Sequence, residues 1–92
     1  MAGRRTLSDR SDEMLAGLWL DGHPDAFTAL VHRYETPLYN FLRRMCGNGS
    51  DAEDLFQETF FKVYRYRERY DRQAPFKPWL YSIAANCCRD RR

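Results

Sequence analysis

The chain has 92 residues, of which 43% are hydrophobic and 30% are charged, and its formal net charge is +2. This length suits one domain with a modest core, and the composition excludes a disordered or fibrous protein. No apolar run follows the N-terminal arginines, and no window approaches the roughly 20 apolar residues that span a bilayer. We therefore expect a cytoplasmic protein that does not associate with membranes.

The first two predicted helices have local start and stop signals. Ser11 precedes two acidic residues, a pattern that caps the free N–H groups of a first turn and suits the helix dipole. Asp21 and Gly22 should end this short helix. Pro24 then fits the opening turn of a second helix, because a proline there loses no hydrogen bond. Its apolar positions recur every three or four residues, and the internal Pro37 should kink this helix rather than end it.

Two further helices are predicted after the break at residues 47–49. Ser50 and Glu53 match a capping box, which predicts a third helix over about residues 51–69. A polar loop follows, and Pro75 and Pro78 fit the first turn of a fourth helix.

No segment alternates with a period of two residues, so no strand is predicted. The fold class is therefore all-α, a compact bundle of three longer helices plus a short N-terminal one. We expect residues 1–10 to be a flexible segment and residues 11–92 to form the domain. The three cysteines favour reduced thiols, because an odd number leaves one unpaired and the neighbours Cys87 and Cys88 seldom bridge each other.

The small net charge conceals two blocks of opposite sign. Residues 51–58 carry four acids and no base, whereas residues 59–92 carry nine bases and three acids. Such blocks indicate two differently charged partners, although solvated charged faces produce the same bias.

The third helix divides into two faces at about 100° per residue. One face is the predicted core stripe, formed by Leu55, Phe56, Thr59, Phe60, Val63 and Tyr66. The opposite face holds Asp54, Gln57, Glu58, Phe61 and Arg65. An aromatic anchor among polar side chains is typical of a protein-binding hot spot, although a single exposed ring is often idle.

A second polar stripe lies on the fourth helix, where Trp79, Ser82, Asn86 and Arg89 share one edge. Tryptophan stacks on bases, asparagine pairs with base edges and arginine contacts phosphate, so this edge is equipped to bind nucleic acid. Each residue also has a purely structural interpretation. Trp79 would then be a partly buried core residue, and the Asn86 side chain would form a hydrogen bond with neighbouring backbone. The remaining candidate DNA-binding residues are Arg65, Arg67, Arg69, Tyr70, Arg72, Gln73 and Lys77. Interleaved rings and cations favour unpaired strands, whose base faces are open to stacking.

These motifs resemble a known family. DAEDLFQETFFKVYR, a short polar loop and FKPWLYSIAANCCRDRR look like the second region of bacterial sigma factors of the sigma-70 family, in its extracytoplasmic function group. DAFTALVHRYETPLYNFLRRM resembles the first helical segment of the same domain. The likeness covers about residues 11–92.

The resemblance implies that the domain binds the clamp helices of the RNA polymerase beta-prime subunit and recognises and melts the promoter −10 element. The polymerase-binding residues would be Asp54, Gln57, Glu58 and Phe61. The loop from about Arg67 and the next helix would hold the non-template strand, with a base flipped into a pocket near Asn86, at a cost of a few kcal/mol in lost stacking. An anti-sigma factor is the expected regulatory partner, and neither catalysis, a cofactor, a metal nor a small-molecule substrate is expected.

The chain departs from the family pattern in two respects. Family members continue into a helix-turn-helix domain that reads the −35 element, and this sequence ends at Arg92 without one, so an excised or truncated piece is expected. Cys87 and Cys88 stand where small or aliphatic residues are usual.

Three other readings compete with this one. A metal-dependent enzyme could draw its ligands from two histidines and four closely spaced carboxylates, Asp51, Glu53, Asp54 and Glu58. However, no His-x-x-Glu pairing converges with these carboxylates. A helical interaction module that binds no DNA is the nearer alternative. A duplex-reading helix-turn-helix fits less well, because the helices are too long and the connecting loop is wrong for it.

Overall fold

In the computed structural model, which describes residues 6–47 and 49–91, the secondary structure is helical throughout. The four α-helices are α1 (Asp12–Leu20), α2 (Pro24–Cys46), α3 (Gly49–Arg65) and α4 (Phe76–Arg91). Two short 3-10 helices, Leu7–Asp9 and Arg67–Arg69, precede α1 and follow α3. No strand occurs in the described ranges, and the all-α prediction is confirmed.

The predicted helix signals operate at α1 and α2. The Ser11 side chain accepts a hydrogen bond from the Met14 N–H at 3.1 Å, which caps α1. Gly22 follows the helix with a φ of 103°, a left-handed conformation that a glycine adopts without strain. Pro24 is the first residue of α2, and the helix continues through Pro37.

The α3 helix begins and ends earlier than predicted. Ser50, expected to be the N-cap, lies within the first turn, because the helix already begins at Gly49. At the other end, the Arg67 guanidinium donates to the Tyr64 carbonyl at 2.8 Å. This bond satisfies one of the acceptors that a helix C-terminus leaves open, and the chain tightens into the 3-10 helix Arg67–Arg69.

The core forms where the apolar stripes of all four helices meet. Four leucines of α1 and α2, together with Leu55, Phe76 and Leu80, are 0% exposed. Phe56 and Tyr66 are only half-buried, so the predicted core stripe of α3 was too wide. Phe56 still packs on the ring of Phe60, with 5.2 Å between the ring centroids.

Polar side chains of α1 tie the N-terminal helix to the rest of the bundle. Asp12 accepts hydrogen bonds from Arg33, at 2.8 Å, and from the Tyr34 hydroxyl. Burial, and then the bond to Asp12, raises the pKa of Tyr34. Arg33 also donates to the Ser8 carbonyl at 2.9 Å, which holds part of the segment expected to be flexible; residues 1–5 of that segment lie outside the described residues.

Glu13 caps α4 from a distance of 63 positions in the chain, since its carboxylate accepts from the Phe76 N–H at 2.8 Å. We expect Glu13→Ala to lower the free energy of unfolding by about 1 kcal/mol, as the loss of an N-cap does, and the melting temperature by about 4–8 °C. Glu68→Ala, which removes an exposed glutamate from a 3-10 helix, is the matched control. Equal melting temperatures for the two variants in thermal unfolding would contradict this capping role.

Candidate polymerase and nucleic-acid interfaces

The residues predicted to bind polymerase lie on one surface of α3. Asp54, Gln57 and Phe61 are exposed and Glu58 is half-buried. Phe61 exposes 63% of its surface, the largest fraction among the exposed large hydrophobic residues of the described chain. Because α3 is a regular helix, these positions present a ring surrounded by carboxylates and an amide.

A basic residue of the C-terminal charge block reaches this acidic surface, a contact that the sequence did not predict. Arg91, in the last turn of α4, lies 3.6 Å from Asp51, 3.8 Å from Asp54 and 4.0 Å from Glu58. Lys62 lies 4.0 Å from Glu58 on the same helix, and it also lies 3.8 Å from Asp90 of α4. The two charge blocks of the sequence therefore meet in space, but exposed pairs of this kind contribute only about 0–1 kcal/mol each and exchange readily.

A cavity of about 510 Å³ opens between α3 and α4 and gathers most of the predicted polar stripe. Trp79, Ser82 and Asn86 line it from α4, as their helical spacing predicted. The other lining residues are Lys62, Tyr66, Arg69, Ile83 and Asp90. Of these, only Arg69 belongs to the predicted site. The second wall of the cavity is formed by Lys62, Tyr66 and Arg69. Their spacing of four and three residues is the sequence signal that could have identified this wall.

Local hydrogen bonds orient the side chains at this cavity. Asn86 Oδ1 accepts from the Arg89 guanidinium, which places both residues on the same edge of α4. The Ser82 hydroxyl donates to the Trp79 carbonyl at 2.7 Å. Trp79 is half-buried, and its ring lies 5.0 Å from that of Tyr70, so one part of it belongs to the core while another lines the cavity.

Cations and rings alternate along the rim that joins α3 to α4. The Arg67 guanidinium lies 4.4 Å from the ring centroid of Tyr64, and Arg69 lies 4.5 Å from that of Tyr66. Arg65 approaches the same Tyr66 ring at 5.7 Å. Such cation–π contacts hold the guanidinium planes against the surface, where they can also meet phosphates or stack on bases.

Seven of the eleven predicted DNA-binding residues do not line the cavity. Three of them, Arg65, Arg67 and Arg89, make the local contacts described above, and the other four are Tyr70, Arg72, Gln73 and Lys77. Tyr70 is buried, and its hydroxyl donates to the Ala74 carbonyl at 2.6 Å, so it shapes the loop. Arg72 pairs with Asp21 at 2.7 Å, and that hydrogen bond and the guanidinium charge lower the pKa of Asp21. Gln73 is an exposed loop residue, and Lys77 lies 5.7 Å from the ring centroid of Tyr81.

The described residues form neither a metal-binding cluster nor a membrane-spanning helix. Across residues 6–47 and 49–91, no group of three or more His, Cys, Asp and Glu side chains is arranged to hold a metal ion. Within the same residues, no helix is both long enough and apolar enough to cross a membrane.

Comparison with known proteins identifies the family. Residues 30–92 match the family model described as Sigma-70 region 2. The chain is 50% identical over 70 residues to the RNA polymerase sigma factor CarQ of Myxococcus xanthus, a match that covers 76% of this chain and 40% of CarQ. It is 40% identical over 70 residues to the ECF RNA polymerase sigma factor SigW of Bacillus subtilis, covering 76% of this chain and 37% of SigW. The chain thus spans about two fifths of the length of these relatives.

Solved structures agree with the sequence matches. An engineered region 2 of sigmaE in complex with GTAAAA superposes with a TM-score of 0.81 at 33% identity, over 89% of this chain and 85% of that one. CnrH in complex with the cytosolic domain of CnrY gives 0.80 at 31% identity, over 88% of this chain and 53% of that one. The chain therefore belongs to the sigma-70 region 2 family, and its relatives are ECF RNA polymerase sigma factors.

Proposed function

We propose that this chain is the part of an RNA polymerase sigma factor that binds the beta-prime clamp helices and recognises and melts the promoter −10 element. The observation that carries the proposal is the cavity between α3 and α4, where Trp79, Asn86 and Arg69 converge from two elements. Each brings a different means of recognition: a ring, an amide and a cation. Together they suit a single-stranded nucleotide.

The cavity is suited to a base that has left the stack. Its volume of about 510 Å³ accommodates a nucleobase, and the half-buried Trp79 supplies an aromatic surface on which a base can stack. The Asn86 amide offers donors and an acceptor that match a base edge, and Arg69 at the rim can pair with a phosphate. These contacts would offset the few kcal/mol that base extrusion costs.

The acidic surface of α3 would meet the polymerase. Phe61 provides an exposed apolar anchor, and Asp54, Gln57 and Glu58 provide the polar surroundings that such an anchor needs. The Arg91 ion pairs on this surface are long and exposed, so a basic partner can replace them at little cost.

The remaining parts of the proposal concern regulation and location. The structural relative CnrH forms a complex with the cytosolic domain of CnrY. By analogy, this chain would be bound by an anti-sigma factor that covers either the acidic surface of α3 or the cavity between α3 and α4. Such a chain performs no chemical step itself, and it would act in the cytoplasm with the polymerase.

We expect Asn86→Ala to weaken binding of single-stranded promoter DNA about tenfold, because a good contact to a base edge contributes about 1–3 kcal/mol. A random-sequence single-stranded library, selected on the chain bound to polymerase core, would supply the oligonucleotide. Its affinity is then measured for wild type, for Asn86→Ala and for the control Asn40→Ala. Asn40 is an exposed asparagine of α2 that does not line the cavity.

Two results would count against the DNA-binding part. One is equal affinity for the selected strand and its duplex, since the proposed pocket requires an extruded base. The other is equal weakening by the Asn40 and Asn86 substitutions, which would mean that the cavity is not involved. Polymerase binding without any enriched sequence would favour an interaction module that binds no DNA.

A further inference from the structure

Two of the three cysteines meet in the folded chain although they are far apart in sequence. Cys46 is the last residue of α2, and Cys88 lies in the final turns of α4. Their Sγ atoms are 3.3 Å apart, across a separation of 42 positions. The pairing thus joins two helix ends, and it does not involve the sequence neighbours Cys87 and Cys88.

We propose that Cys46 and Cys88 are a redox-active thiol pair that a hydroperoxide oxidises to an intramolecular disulfide. The proposal concerns the fold of this chain and does not depend on the function proposed above.

The geometry favours closure of this bond. A disulfide is about 2.05 Å long, so the two sulfur atoms need to approach by only a little over 1 Å from their 3.3 Å contact. Cys46 is at a helix terminus, where Gly47 follows with a φ of 84°, and the chain there can adjust more easily than within a helix. Side-chain rotation and a small shift of this terminus are sufficient.

The accessibilities of the thiols assign their roles. Cys46 is half-buried and can meet a small oxidant, whereas Cys88 is 1% exposed and is reached through Cys46. Cys87 is fully buried, and its thiol is directed towards Glu58 and Thr59 of α3. Burial and the bond to Glu58 raise the pKa of the Cys87 thiol, which keeps it protonated and unreactive.

The chemistry proceeds in two balanced steps. The Cys46 thiolate attacks one oxygen of hydrogen peroxide, and the O–O bond breaks to give a sulfenic acid and hydroxide, which takes up the proton lost by the thiol. The Cys88 thiol then attacks the sulfenic sulfur, and the S–O bond breaks as the S–S bond forms and water leaves. Overall, two thiols and one peroxide give one disulfide and two waters, and the peroxide accepts the two electrons.

The product would restrain the end of α4. Asn86, which lines the cavity, lies two residues before Cys88, and Arg89 follows directly. A covalent connection to α2 also closes a loop of about forty residues, which reduces the freedom of the unfolded chain. We therefore expect the oxidised domain to melt about 10 °C or more above the reduced one, reversibly on addition of a thiol reductant.

The test treats the whole 92-residue chain with hydrogen peroxide and follows thiol content, intact mass and melting temperature. In wild type, the titratable thiols should fall from three to one, and the mass should fall by two hydrogen atoms. Trypsin leaves both Cys87 and Cys88 on the peptide of residues 73–89, so a Cys87→Ala variant is needed to identify the partner. That variant should still lose two thiols, whereas Cys46→Ser should form no disulfide and show no rise in melting temperature.

Four outcomes would overturn the proposal. Two concern the product: disulfide-linked dimers, or addition of oxygen to Cys46 without loss of the Cys88 thiol. The third is a disulfide that still forms in Cys46→Ser, and the fourth is a full count of three thiols under peroxide conditions that do oxidise free glutathione. If Cys87→Ala is too unstable to assay, fragmentation of the disulfide-linked wild-type peptide between Cys87 and Cys88 identifies the partner instead, and a bond to Cys87 would overturn the proposal. Cys46→Ser still shows whether Cys46 is required, because Cys46 is only half-buried and can be replaced with little effect on the core.

Discussion

Replacing Phe76 with alanine is expected to lower the free energy of unfolding by about 3–5 kcal/mol, the range for truncating a buried phenylalanine. Phe76 is 0% exposed and is the first residue of α4. Its ring centroid lies 5.7 Å from that of Tyr70, 6.0 Å from that of Trp79 and 6.3 Å from that of Tyr34. Truncation therefore opens a void where α2, α4 and the loop between α3 and α4 meet.

Chemical denaturation measures this effect, and Phe61→Ala is the matched control because it removes the same atoms from an exposed site. The control should change stability by about 0.5 kcal/mol or less. A domain of this size has roughly 5–15 kcal/mol of total stability, so Phe76→Leu is included as a milder change that should leave the chain folded. If Phe76→Ala costs no more than Phe61→Ala, Phe76 does not support the core in the way its burial indicates.

The helices were predictable because their start and stop signals are local. Ser11 and Pro24 act within one turn of their own position, and neither needs a partner elsewhere in the chain. The end of α3 was not predictable in this way. The helical pattern of the sequence continues past that point, and at the observed end the Arg67 side chain donates to the Tyr64 carbonyl.

The candidate site was predictable only within single helices. Trp79, Ser82 and Asn86 were placed together because helical spacing alone puts them on one edge, and all three line the cavity. The approach of Arg91 to Asp54 and the contact of Cys46 with Cys88 required knowledge of how separate helices pack. Periodicity within one helix contains no information about which neighbour its surface will meet.

Replacing Phe61 with alanine is expected to weaken binding to the isolated clamp helices of the polymerase beta-prime subunit by more than tenfold, or about 1.4 kcal/mol. A ring that is 63% exposed in the free chain gains most of its burial on binding, and such anchors dominate the energy of many interfaces. Gln57→Ala, one turn earlier on the same surface, should weaken binding in the same direction. Titration calorimetry with purified clamp helices measures both.

Met14→Ala is the control that distinguishes a specific anchor from nonspecific hydrophobic contact. Met14 is also a large exposed hydrophobic residue, with 49% of its surface accessible, but it lies on α1. It should leave the affinity unchanged. Weakening by Met14→Ala equal to that by Phe61→Ala would mean that contact is not centred on α3. If a folded wild-type chain does not bind the clamp helices, the polymerase part of the proposal is wrong. If Phe61→Ala and Gln57→Ala lose affinity while Met14→Ala does not, the interface lies on the acidic surface of α3. Arg91→Ala would then tighten binding if its ion pairs with Asp54 and Glu58 compete with the polymerase.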